Sequence, residues 1–293
     1  MNIEELIKSV EKYSQNLKGV IVALKTISKE ESDVNKRLIL LGKERKKIEK
    51  FLNESNNVEI NEKIQTVLKN VSSEMQDLEG SVKTKFGSEL NALLQENGFK
   101  LEGNYPLLKT SFYTIELDFT AKKANIYYGP KIERIASSSS VPEDVAKTLI
   151  KEHGRITQRP FNDVEFIRTM FQAYQNVVSQ MNKPIGTELS IQDFLPALSF
   201  SKQTKKFYQD PKKSNYTEYD RIFFSYDLSR LKARRIERFE LRLVSATRND
   251  TKNQYGFIWT PKGPATSDGE AISRIKFVLS RILQSIILER FFC

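Results

Sequence analysis

The chain has 293 residues, with 47 Lys and Arg against 37 Asp and Glu, 18 Phe, 11 Tyr, one histidine and one cysteine. That aromatic content supports a real core and excludes a fully disordered chain. The single histidine and cysteine exclude a disulfide framework, multi-cysteine metal sites and HExxH zinc chemistry. The acidic start Met1-Asn2-Ile3-Glu4-Glu5, and the lack of any uncharged apolar run of about 18 residues, predict no signal peptide and no membrane span. The expectation is a cytoplasmic protein in a reducing compartment.

Charge divides the chain. Residues 1–98 hold 16 basic and 16 acidic groups, so the whole net +10 lies in residues 99–293. All 9 prolines also follow position 105. A charge-balanced, proline-free half followed by a basic, proline-punctuated half predicts two architectures, a helical arm over 1–98 and a basic α+β domain over 99–293.

The first half repeats every 3.5 residues. Leu6, Val10, Tyr13, Leu17, Val20, Leu24, Ile27, Glu31, Val34, Leu38, Leu41, Arg45, Ile48 and Leu52 follow one another at spacings of 4 and 3, with Glu31 and Arg45 the two polar exceptions. A seam this long predicts a coiled coil, and its core positions Leu6, Val10, Leu17, Leu24, Leu38, Leu41 and Ile48 are the candidate association surface for a second copy or a helical protein partner. An unbroken first helix of about 50 residues would reach roughly 75 Å. Lys29 to Asp33 marks either a local break or a polar layer. The polar run Asn53 to Asn57 predicts a turn, after which Ile64, Leu68, Val71, Met75, Leu78 and Val82 restart the spacing. Asn97-Gly98 stops the second helix of this predicted hairpin.

From Phe99 the period becomes two. Tyr113, Ile115, Leu117 and Phe119 alternate with Thr114, Glu116 and Asp118, which predicts a half-buried strand that returns through Asn125 to Tyr128. Ala136 to Ser140 reads as a loop, and a helix opens at Pro142-Glu143-Asp144 and stops at Gly154, with His153 complementing its C-terminal dipole. A stronger helix follows Asn162 and carries Val164, Ile167, Met170, Phe171, Tyr174, Val177, Val178 and Met181 on one side. Strands are predicted at Arg221 to Leu228, Phe239 to Ala246 and Tyr255 to Trp259. The run from Ile275 to Phe291, apolar nearly all round, predicts a buried or interface helix. Strands grouped around helices without βαβ alternation give an α+β class.

Neither GxxxxGK[ST] nor GxGxxG occurs, which excludes a Walker ATPase and a dinucleotide site. The sequence calls for no cofactor and no metal. One enzymatic alternative is a Mg²⁺-dependent nuclease with Glu116 and Asp118 on one strand face and Lys122 or Lys123 in the following turn, although no Asp…Glu-x-Lys spacing supports it. The positive signal is a basic segment. Residues 200–262 carry 15 basic and 7 acidic groups. Lys202, Lys205, Lys206, Lys212 and Lys213 interleave with Phe207, Tyr208 and Tyr216, and Arg230, Lys232, Arg234, Arg235, Arg238, Arg242 and Arg248 follow. Arginine matches phosphate oxygens and aromatic rings stack on bases, so the expectation is a non-catalytic nucleic-acid-binding or architectural subunit, DNA or RNA. A protein-only adaptor for an acidic partner uses the same patch. Genome maintenance or antiviral defence against foreign DNA fits that layout, but no residue points to either.

Overall fold

A computed structural model describes residues 3–55, 57–263 and 266–280. Three helices come first, α1 (Ile3–Ile27), α2 (Val34–Glu54) and α3 (Val58–Gln95). Of the two readings of Lys29 to Asp33, the local break holds: residues 28–33 separate α1 from α2, although the seam's spacing runs straight across them. Asp33 sets the restart: its extended backbone and side chain cap α2, accepting from Lys36 N at 3.0 Å. Arg37 then fixes the fold-back. Its guanidinium donates to the carbonyls of Ile27 (2.9 Å) and Lys29 (2.8 Å), at the end of α1, and grips Glu74 of α3 through two bonds of 2.7 and 3.1 Å.

α1 runs back along α2, with the Tyr13 ring 5.9 Å from Phe51 and Asn16 Nδ2 donating to Glu54 at 2.9 Å. The helices enclose one core of Val20, Ala23, Ile27, Leu41, Ile48, Phe51, Ile64, Leu68 and Val71. Most of the candidate association seam is thereby used inside the chain. Leu41 and Ile48 are fully buried, Leu17 and Leu24 pack against this core, and Leu38 is half-buried. Only Leu6 and Val10 of the named seam remain open, at 46% and 60% exposure.

Two compact units divide between Glu89 and Leu90, inside α3 and earlier than the end of the helical pattern. The reason is that the last turns of α3 belong to the second core: Leu90 and Leu94 are fully buried, and Asn91 accepts from Leu101 N at 3.3 Å. The second unit begins with an antiparallel meander, β1 (Glu102–Asn104), β2 (Leu107–Thr110), β3 (Tyr113–Asp118), β4 (Lys123–Tyr128) and β5 (Glu133–Ser139), in that spatial order. Tyr113, Ile115 and Leu117 face Tyr128, Ile126 and Ala124 across β3 and β4, and all six are buried. β5 corrects the predicted serine loop. It is an edge strand whose side chains stay largely open, so serines suffice there.

Helices α4 (Pro142–Thr157) and α5 (Asp163–Gln180) follow; α4 continues past Gly154, and Asn162 caps α5 by accepting from Glu165 N at 3.0 Å. Next come β6 (Leu189–Ser190), α6 (Ile191–Ser201), α7 (Lys205–Gln209) and α8 (Arg221–Arg230). α8 was expected to be a strand. Asp220 caps it, accepting from Phe223 N at 2.8 Å, and Ile222 to Leu228 are all buried, so it has no polar face from which a helical period could be read.

The last strands are β7 (Arg235–Ile236), β8 (Phe239–Ser245), β9 (Ile258–Pro261) and β10 (Gly269–Leu279). β10 pairs with β6, β8 and β9, and β7 pairs with β8. The helix predicted from Ile275 is thus a strand as far as Leu279, and its remainder from 281 lies outside the described residues. α5 covers this sheet through Phe171 and Tyr174, whose rings lie 5.0 and 5.2 Å from Phe277. The fold class is α+β, long N-terminal helices followed by a sheet-rich unit. Among the described residues no helix is long and apolar enough to cross a membrane.

Candidate nucleic-acid interface

The lysine-rich stretch is a closed excursion from the core. Gln203, itself buried, donates Nε2 to the carbonyls of Ser199 (2.8 Å) and Thr217 (2.9 Å), and accepts from Thr217 N at 2.8 Å. That amide ties the chain at both ends of residues 204–216. Inside the excursion Asn215 is buried and donates to Asp210 O at 2.8 Å, which closes the turn between α7 and Tyr216.

Aromatic rings fill the middle. Phe207 lies 6.2 Å from Phe200, 5.8 Å from Tyr208 and 5.7 Å from Tyr216, measured between ring centroids. The Tyr208 hydroxyl donates to the Phe200 carbonyl, and the Tyr216 hydroxyl lies 2.8 Å from Ser199 Oγ. Phe200, Tyr208 and Tyr216 remain 55%, 60% and 43% exposed, an unusual outlay of ring surface to water in one place. Phe200 was not among the residues singled out above. Its signal was readable: Ile191, Phe194 and Leu198 form the buried stripe of α6, and Phe200 falls off that stripe.

Lys205, Lys206, Lys212 and Lys213 are all exposed around this cluster, and among the described residues only Lys212 of the four holds a carboxylate, Asp210 at 2.5 Å. Lys202 does not join them. Its amine stacks over Tyr219 (4.7 Å) and Phe166 (5.1 Å), and burial pulls its pKa down.

The arginines gather on the β7–β8 hairpin. Lys232, Arg234, Arg235 and Arg238 are exposed, with Glu237 at φ +50 forming the turn between Ile236 and Phe239. Arg242 is half-buried on β8, opposite Lys276 of β10; Lys276 is occupied by Glu188 at 2.8 Å. Arg248 is exposed in the loop after β8. Arg230 is the exception. It bonds buried Asp227, donates to the Arg159 carbonyl at 3.1 Å, and lies over Phe161 (4.3 Å) and Tyr226 (4.8 Å). Asp227 also accepts from Arg159 at 2.7 Å and from the Tyr219 hydroxyl at 2.9 Å. Arg230 is therefore a core residue, corrected from the candidate surface set. The Asp227-x-x-Arg230 spacing on one helix was the available sign.

The two carboxylates of the nuclease alternative are engaged elsewhere. Glu116 accepts from Lys131 Nζ at 2.5 Å and Tyr127 Oη at 2.9 Å, and these bonds hold its carboxyl below the ordinary range. Asp118 accepts from Ala121 N at 2.9 Å and so caps the β3–β4 turn, where Lys122 takes φ +51. Among the described residues no three His, Cys, Asp or Glu side chains group as metal ligands. His153 is no dipole cap either. It sits in a helix that runs on to Thr157, is bonded to Tyr113, and burial lowers its pKa. Comparisons with protein families, curated proteins and solved structures found no match to the chain.

Proposed function

We propose that the protein is a non-catalytic nucleic-acid-binding subunit whose second unit contacts phosphates and whose helical unit associates. One observation carries this reading. Lys205, Lys206, Lys213, Lys232, Arg234, Arg235, Arg238, Arg242 and Arg248 hold no ion pair among the described residues, and all but Arg242 are exposed. The helical unit differs in its balance rather than in its pairing: residues 1–98 carry 16 basic and 16 acidic groups, whereas 200–262 carry 15 and 7. Positive charge left unneutralised on one segment is what attracts a polyanion and releases its counterions.

The test is the salt dependence of binding to duplex and single-stranded DNA. With roughly four to six phosphates neutralised, log affinity on duplex falls against log salt with a slope of about −3.5 to −5.5. Changing Arg234, Arg235 and Arg238 to Ala together makes that slope shallower by about 2 to 3, whereas Lys46 and Lys47 to Glu on the helical unit changes it much less. Equal losses from both variants mean non-specific adhesion. No binding at low salt turns the patch over to an acidic protein partner.

A further inference from the structure

A groove of about 500 Å³ opens beside the exposed aromatic cluster, between the C-terminal half of α5, α6 and Tyr208 of α7. It exists because Pro196 and Ala197 put short side chains on the α6 wall, while Phe200 and Tyr208 stand up at its edge. The size falls within the range of small-ligand sites. From α5, Asn176 and Gln180 line it one helical turn apart, both exposed, and neither side chain has a hydrogen-bond partner among the described residues. Asp193, also in the lining, is held by Ser190 Oγ at 2.6 Å and stays an acceptor.

We infer that this groove receives an unpaired base of a single strand, with Phe200 and Tyr208 as the stacking surface and Asn176 and Gln180 meeting the base edge. The inference rests on the nucleic-acid reading and narrows it. A primary amide offers a donor and an acceptor side by side, the same pattern a base presents on its Watson–Crick edge. In a duplex those edges are paired and the faces stacked, so only an unpaired base fits. The charge layout orients the strand. Asp193 keeps phosphates out of the groove, and Lys205 and Lys206, on the same short helix as Tyr208, hold them at its rim.

The experiment uses the full chain and a mixed-sequence single DNA strand of about 15 nucleotides carrying one 2-aminopurine, with the matched duplex as competitor. The expected result is a change in 2-aminopurine fluorescence on binding and preference for the single strand. Phe200→Ala with Tyr208→Ala lowers single-strand affinity about 5- to 150-fold and leaves duplex affinity unchanged. Asn176→Ala with Gln180→Ala, two exposed amides with no intramolecular role, reduces the discrimination between homopolymer strands, and this pair decides the matter if the aromatic variant does not fold. If the strand binds but the duplex competes equally and neither pair of changes matters, the groove inference is overturned and the nucleic-acid reading survives. If neither strand nor duplex binds at low salt, the reading beneath it falls as well.

Discussion

The hydroxyl of Tyr113 on β3 lies 3.1 Å from Nδ1 of His153 on α4. The imidazole is packed edge-on against Phe99, 4.8 Å away, and burial lowers its pKa from the ordinary 6.5. In the unfolded chain the same ring takes a proton near its ordinary value. Below that pH the unfolded state binds more protons than the folded one, so stability is full above about pH 6.5 and falls as the pH drops through it. Urea titrations between about pH 8 and 5 show this loss, and His153→Gln, which can still accept from Tyr113, flattens it. An unchanged pH profile in that variant removes His153 as the cause.

Leu41→Ala costs the helical unit about 2 to 5 kcal/mol, as for other fully buried leucines. Leu6→Asp with Val10→Asp changes stability by less than about 0.5 kcal/mol per site, because both side chains are exposed. The same pair lowers self-association in sedimentation velocity. Ile3, Ile7 and Tyr13 extend the open stripe beside them, and a unit whose 16 basic and 15 acidic groups nearly cancel repels its own copy little. Unchanged sedimentation would falsify association through this stripe.

Arg230→Ala destabilises the second unit by about 1.5 to 3 kcal/mol, the range for hydrogen bonds to a charged group, and leaves Asp227 with Arg159 and Tyr219. Its salt slope on DNA stays that of the parent chain. Arg235→Ala does the opposite, with a stable fold and a slope shallower by about one. Thermal melts and binding isotherms on the two variants separate a core arginine from a surface one.

Gly129 and Gly269 both close on Trp259. A Cβ at Gly129, whose φ is +70, would meet the indole at 2.8 Å, and one at Gly269 would clash with the indole and meet the Thr260 carbonyl at 2.7 Å. Either alanine forces the ring or the strand to move, at a cost of about 1 to 3 kcal/mol. Trp259 is the only tryptophan, so its emission reports the shift directly. Unaltered emission together with an unaltered melting point in both variants would show that the indole is not held by these contacts.

Where a single face decides an element, the sequence disclosed it. The alternation of Tyr113 to Asp118 matches the burial seen except at Thr114, which is buried, and the stripe of α5 matches from Ile167 to Val178 while Val164 and Met181 at its ends are exposed. The break at residues 28–33 was legible as one of two readings of Lys29 to Asp33; Glu31 keeps the seam's phase, and periodicity alone is blind to a loop that preserves it. α8 misled for a different reason. Phe223, Phe224 and Tyr226 favour strands, and only packing on every side makes them helical. In β10 the alternation of Ile275, Phe277 and Leu279 was present, but the apolar run continuing beyond it suggested a longer helix. At the basic segment the residue types were legible and their fates were not. Arg230 and Lys202 differ from Arg235 and Lys205 only in which rings and carboxylates the fold brings to them.

The pairing of β10 imposes an order on assembly. Every strand of the first sheet neighbours its successor in the chain, so that meander closes from local contacts as soon as it is made. The second sheet cannot. Leu189 waits for Ile275, Ser245 and Ile258 both wait for Ile272, and the rings of Phe171 and Tyr174 wait for Phe277. A chain halted before Gly269 therefore presents β6, β8 and β9 as unsatisfied edges, and leaves Phe171 with Phe239 but Tyr174 without Phe277. The segment bearing the exposed cations lies between those waiting strands, so its final geometry is set by a strand that follows it in the chain.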